Sequence, residues 1–219
     1  MVADVTEADP SATPLNRRPL SARNSAWAKS LAVRAVRKGL TPNQISQMSV
    51  GFAALGTVCF AAAPIGPGIL QALLLILAAA ACQARLVCNL IDGMVAVEGG
   101  QATKDGPFWN EAPDRVSDVL LLGGAGMAAA NPALGLLAAT LAVTTAYIRE
   151  LRRAEGLRPD FSGPMAKPHR MAALTIGSII AAFYAAEWTL TVTLWLIVLG
   201  AAATILRRSL HLIAALNAR

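Results

Sequence analysis

Residues 89–118 read NLIDGMVAVEGGQATKDGPFWNEAPDRVSD, an acid-bearing, glycine-punctuated stretch lodged between long apolar runs. Ionisable groups at the end of a membrane-length apolar run are costly to place, and so they mark function by default. Working outward from this stretch, apolar blocks recur at about 44–63, 69–91, 116–130, 132–149, 171–186 and 189–206. Most are long enough to cross a bilayer as helices. The block at 116–130 is short unless its helix begins near Asn110, which would place the first turns at the polar face of the membrane. The pattern predicts an all-α polytopic membrane protein with six transmembrane helices.

Composition agrees. The 219 residues are 55% hydrophobic and 15% charged, with a mean hydropathy of +0.52, which excludes an ordinary soluble domain. The polar N-terminus lacks the short apolar core of a cleavable signal peptide. A net charge of +6 raises the question of nucleic acid, but its distribution answers no. Arg17, Arg18, Arg23, Lys29, Arg34, Arg37 and Lys38 precede the first span. Arg149, Arg152, Arg153, Arg158, Lys167 and Arg170 lie between spans four and five, and Arg207, Arg208 and Arg219 follow the sixth. The alternate connections carry no lysine or arginine. The positive-inside rule then puts both termini and the 92–115 segment on the cytoplasmic side of the inner (cytoplasmic) membrane. Basic flanks of this kind meet anionic headgroups, so membrane lipids are expected partners.

The chain divides into a tail at 1–24, expected to be disordered, an interfacial amphipathic helix at 25–40, and a six-helix transmembrane domain at 41–219. In the helix, Trp27, Leu31, Val33 and Val36 fall near one face, with Lys29, Arg34, Arg37 and Lys38 towards the other. Thr41 is placed to cap the first span, with Pro42 at its first position and Gln44 closing a capping box. Cys59, Cys82 and Cys88 all fall in apolar helices, where they read as small buried hydrophobes. No spacing suggests a structural zinc site.

The 89–118 stretch has its own spacing. Asn89 and Asp92 are three apart at the end of the second span, while Asn110 and Asp114 are four apart at the start of the third. Each pair shares a helix face, so two packed helices would converge four oxygen-bearing side chains. Gly93, Ala96 and Gly106 leave room for a ligand to approach backbone. The spacing resembles the CDP-alcohol phosphotransferase signature D-x-x-D-G-x-x-A-R-x8-G-x3-D-x3-D. Asp92, Gly93, Ala96, Gly106 and Asp114 are in register. Asn89 and Asn110 stand where the family has aspartates, and Val97 where it has arginine. Residues 41–46 also resemble the family's opening to its first span, T-P-N-x-[IL]-[ST].

The resemblance implies transfer of a phosphatidyl or related substituted phosphoryl group from a CDP-alcohol, CDP-diacylglycerol foremost, to an alcohol acceptor, with release of CMP. It implies Mg²⁺ or Mn²⁺ held at Asn89, Asp92, Asn110 and Asp114, with Asp114 as the base that activates the acceptor hydroxyl. Asn43, Ser46, Gly93, Ala96, Thr103 and Gly106 would lie by the CDP moiety. With the motif arginine absent, Arg85 and Lys104 are the cations nearest in sequence to replace it, although Arg85 could equally pair with an acid. Lys167 and Arg170, in the stretch Gly163–Arg170, suit an anionic acceptor or the pyrophosphate, or simply anchor the cytoplasmic side. Asp105, Glu111 and Asp118 are the acids that could restore the missing charge, with Asp118 also able to pair with Arg115 or Arg85. His169 reads as a loop or interface residue. Gly123, Gly124, Ala125, Gly126 and Gly135 permit close helix packing, compatible with the homodimer common in the resembled family. Two alternatives stay open. One is a catalytically impaired descendant that binds CDP-lipid or a membrane partner. The other is a transporter or channel, which leaves the glycine spacing unexplained.

Overall fold

The structure, a computed structural model, describes residues 25–219 apart from 98 and 102. The expected disordered tail at 1–24 lies outside the described residues. Among them run helices α1 (Ala26–Arg37), α2 (Pro42–Ala62), α3 (Ile69–Val97), α4 (Gly106–Ala128), α5 (Pro132–Ala154), α6 (Lys167–Phe183) and α7 (Ala186–Asn217). A single 3₁₀ turn, Ala63–Ile65, links α2 towards α3.

The start of α2 follows its sequence. The Thr41 hydroxyl accepts from the Gln44 N–H at 3.3 Å, and the Gln44 side chain accepts from the Thr41 N–H at 3.0 Å. That reciprocal pair satisfies two of the donors a helix start leaves open. Helix α2 packs against α3 and α4, α3 against α6, α4 against α5, and α7 against α5 and α6. Phe60, Leu75, Leu121, Leu122, Met171, Leu174, Leu194 and Ile197 are fully or almost fully buried at the centre. Small residues set the closest crossing: a Cβ on Gly126 of α4 would come within 2.7 Å of the Gly135 Cα on α5. Either glycine enlarged to alanine would force the two backbones apart.

Among the described residues, four helical stretches are long and apolar enough to cross a membrane: Pro42–Ile65, Ile69–Val97, Pro132–Ala154 and Ala186–Asn217. Helix α4 falls outside this set because Glu111, Asp114, Arg115 and Asp118 crowd its first half. Helix α6 has only 17 residues, with Lys167 and Arg170 in its first turn. The block expected to begin near Asn110 is helical from Gly106, and the one expected at 189–206 extends to Asn217. Helix α1 turns one face to the bundle. Its buried face is Ala28, Ala32 and Ala35, seated on Leu90, Ile91, Met94 and Val95 of α3, while Trp27, Leu31 and Val33 are exposed. Alanines at this spacing form a flat stripe that lets α1 lie close to α3, which larger side chains would prevent.

Candidate active site

The last turns of α3 and the first turns of α4 form opposite walls of a cavity of about 510 Å³. Asn43 and Ser46 reach it from the start of α2, and Lys167 from the start of α6. Asn89, Asp92, Gly93, Ala96, Thr103, Gly106, Asn110 and Asp114 all line it. The structure therefore gathers most of the residues singled out in sequence around one space. Arg85, Asp118 and Arg170 are buried and do not line the cavity, and Lys104 and Asp105 are exposed outside its lining.

Asp92 is 4% exposed. Its Oδ2 accepts from the Ser46 hydroxyl at 2.7 Å, while its Oδ1 is buried without a hydrogen-bond partner. A buried carboxylate oxygen with no donor is costly unless a ligand completes it. Asp114, 6% exposed, is held from both sides. Arg85 Nη2 donates to its Oδ1 and to its backbone carbonyl, each at 3.1 Å. Lys167 Nζ donates to Asp114 Oδ2 and also to Asn89 Oδ1.

Below this layer, Asp118 is completely buried. It accepts from Arg170 Nη2 at 2.6 Å and from Arg85 Nη2 at 3.3 Å. Asp118 is therefore a structural anchor for two arginines and does not supply charge to the cavity. Glu111 lines the cavity but is engaged by Arg115 and, at 2.5 Å, by Arg149. Asp105 sits at the rim, accepting from Asn43 at 3.2 Å and from the Trp109 indole at 3.0 Å. The Thr103 hydroxyl, with Asn43 and Trp109, holds the Asp105 carboxyl below its ordinary pKa. None of the three acids weighed as replacements joins Asp92 and Asp114. Among the described residues, no cluster of three histidine, cysteine, aspartate or glutamate side chains is disposed to hold a metal. Asn110 donates to Glu111 at 3.3 Å.

The end of α5 and its connection to α6 contribute more than their sequence suggests. Arg149, Glu150, Arg153, Pro159 and Phe161 line the cavity, and the Arg149 guanidinium lies 5.8 Å from the Phe161 ring centre. Arg149 and Arg153 are four apart at the end of α5, a spacing that gives them one helix face. In sequence they read only as part of a basic flank. The segment is pinned by α7: Arg208 donates to the carbonyls of Ser162 at 2.9 Å and Thr145 at 2.8 Å. The Thr204 hydroxyl accepts from the Met165 N–H at 3.0 Å. Those contacts fix the chain just ahead of Lys167.

No protein-family model matches this sequence. A phosphatidylinositol phosphate synthase of Mycolicibacterium smegmatis is 27% identical over 190 residues, spanning 83% of this chain and 81% of that protein. The crystal structure of Mycobacterium tuberculosis phosphatidylinositol phosphate synthase with manganese and citrate superposes with a TM-score of 0.70 at 23% identity, covering 85% of this chain and 88% of that one. The same enzyme with CDP-DAG bound gives a TM-score of 0.70 at 22% identity, over 86% and 94% of the two chains. At these identities the structural likeness speaks for the fold. In length and fold this chain is thus similar to phosphatidylinositol phosphate synthase, and its 89–118 stretch carries a spacing that resembles the CDP-alcohol phosphotransferase signature.

Proposed function

We propose that this protein is a membrane CDP-alcohol phosphotransferase that moves the phosphatidyl group of CDP-diacylglycerol to an alcohol acceptor and releases CMP. The observation that carries the reading is the facing of Asp92 and Asp114 across one cavity, in a chain whose relatives include an enzyme of this reaction class. Asp114 is the base that takes the acceptor's proton as its oxygen attacks the phosphorus. Such general-base help requires a carboxylate held in place, and Arg85 fixes this one through its backbone and side chain together. Gly93 and Ala96 keep the α3 wall low for the nucleotide, with Asn43 and Thr103 as polar contacts. Arg149 and Arg153 on the cavity wall favour an acceptor that carries an anionic group.

The residues fit one divalent ion. The unpartnered Asp92 Oδ1 offers a hard, charged oxygen of the kind Mg²⁺ and Mn²⁺ prefer, with Asn110 as a neutral oxygen donor on the facing wall. Bound there, the ion supplies positive charge beside the pyrophosphate. The relative's crystallisation with manganese supports this choice of metal.

The finer architecture belongs to the same proposal. Helices α4 and α6 complete six spans by pairing their polar ends within the protein, and α1 lies along the cytoplasmic surface with Trp27 and Leu31 towards lipid. The cavity and both termini face the cytoplasm, as the basic flanks imply, and the working unit is a homodimer. The rival reading, a protein that binds CDP-lipid without turnover, follows if Asp114 takes no proton from any acceptor. The deciding experiment is CMP release by purified protein supplied with CDP-diacylglycerol, Mg²⁺ or Mn²⁺, and a panel of anionic and neutral alcohols. Release dependent on one acceptor supports the transferase. CDP-diacylglycerol binding with no release from any acceptor supports the rival.

A further inference from the structure

We propose that the Lys167 ammonium is a built-in cation of this site, occupying a position that a second divalent ion would otherwise need; the inference rests on the transferase reading above. Lys167 Nζ bridges Asn89 Oδ1 of α3 and Asp114 Oδ2 of α4, two oxygens that both line the cavity. A bridging ion would use the same two oxygens. The other Asp114 oxygen is already taken by Arg85, so no lone carboxylate edge is left on that side.

The charges close around this arrangement. Asp114 and Asp118 are paired with Arg85, Lys167 and Arg170, while Asp92 is in no ion pair and keeps an oxygen without a hydrogen-bond partner. An additional divalent ion beside Lys167 would bring like charges together in a partly buried site, where repulsion is weakly screened. The neutral Asn89 belongs to the same logic. An aspartate there would add a charge that calls for a metal once the ammonium is gone, whereas an amide oxygen accepts from an ammonium without demanding another charge. Lysine suits the role because its ammonium is a compact point charge with three donors on a flexible stem. Its main chain is held by the Met165–Thr204 and Arg208–Ser162 contacts just upstream. One cation is thus covalently supplied, and only the Asp92 side is left for a metal.

The test counts Mn²⁺ per chain by electron paramagnetic resonance and metal analysis, on the full-length protein in micelles without substrate. Wild type should bind one ion. Asn89→Asp with Asn110→Asp should still bind one, because Lys167 remains. Adding Lys167→Gln to that pair should raise the count to two, with the spin coupling of neighbouring Mn²⁺. Lys167→Met, similar in length and neutral, serves in place of Lys167→Gln if the latter does not elute as a single species. Two ions in wild type, or an equal count with lysine and with its neutral replacement, would overturn the proposal. CMP release is measured in parallel on wild type. A metal count that rises on removing Lys167, without CMP release from any acceptor, would support the built-in cation and reject the transferase reading.

Discussion

Arg170 on α6 meets Asp118 on α4 at 2.6 Å, with both side chains essentially sealed from solvent. Arg85 of α3 joins the same carboxylate at 3.3 Å, so three helices meet at one buried acid directly beneath the cavity floor. Removing one partner of a buried ion pair leaves a charge with nowhere to go, at a cost of about 3–5 kcal/mol. Asp118→Ala should therefore lower unfolding stability by about that amount, measured by thermal or denaturant unfolding in micelles. Asp118→Leu combined with Arg170→Met should lose less, since the charges leave together. Equal losses in the two variants would refute the anchoring role.

Asp114→Asn should keep the fold and abolish CMP release. The amide keeps one oxygen for Lys167, and Arg85 retains the backbone carbonyl of residue 114, but the amide cannot take a proton, and loss of a general base costs ~10²–10⁴ in rate. Steady-state turnover on a variant with a parental elution profile decides the matter. Activity near that of wild type would remove Asp114 from the proton-transfer role.

The α5–α6 connection carries an acid whose ionisation supports the fold. Burial opposes the charged form of Asp160, but hydrogen bonds from Ser162 and His211 outweigh it and hold the carboxyl below its ordinary pKa. A lowered native value means the stabilisation is complete above the ordinary carboxyl pKa of about 4 and is lost as pH falls through the native value. Unfolding curves of wild type and Asp160→Asn should differ by a constant amount near neutrality and converge on the acid side. A gap that widens as pH falls would contradict the assignment.

Orientation can be read by labelling. In a background with Cys59, Cys82 and Cys88 replaced, single cysteines at Gly66 and Glu187 should react with an impermeant maleimide added outside the cell. Cysteines at Gln101 and Arg158 should react only after the membrane is opened. Reaction of all four from one side would reject the six-span arrangement.

Much of the fold was legible because each helix announces itself locally. Thr41, Pro42 and Gln44 encode a helix start within four residues, and the Asn110–Asp114–Asp118 stripe encodes one face of α4. The partners of that stripe were not legible. Arg85 and Arg170 could be read as ligands for phosphate or as mates for an acid, and only the packing of α3 and α6 against α4 decides between them. Lys167 illustrates the same limit. Its distance from Asn89 in sequence is 78 residues, and no periodicity connects a loop lysine to a helix end across two intervening spans. The seat of α1 on α3 was not legible for another reason: large apolar residues draw attention, yet it is Ala28, Ala32 and Ala35 that approach the neighbouring helix closely.

Helix α7 runs for 32 residues, a length of about 48 Å at 1.5 Å per residue, against a hydrocarbon layer of about 30 Å. Its far end therefore stands clear of the lipid tails, and Arg208 and His211 on that end hold the segment that delivers Lys167. A rod longer than the layer it crosses responds to membrane thickness by leaning. Those contacts join the far end of α7 to the α5–α6 segment, so a lean of the rod would be felt first in the chain that leads to Lys167.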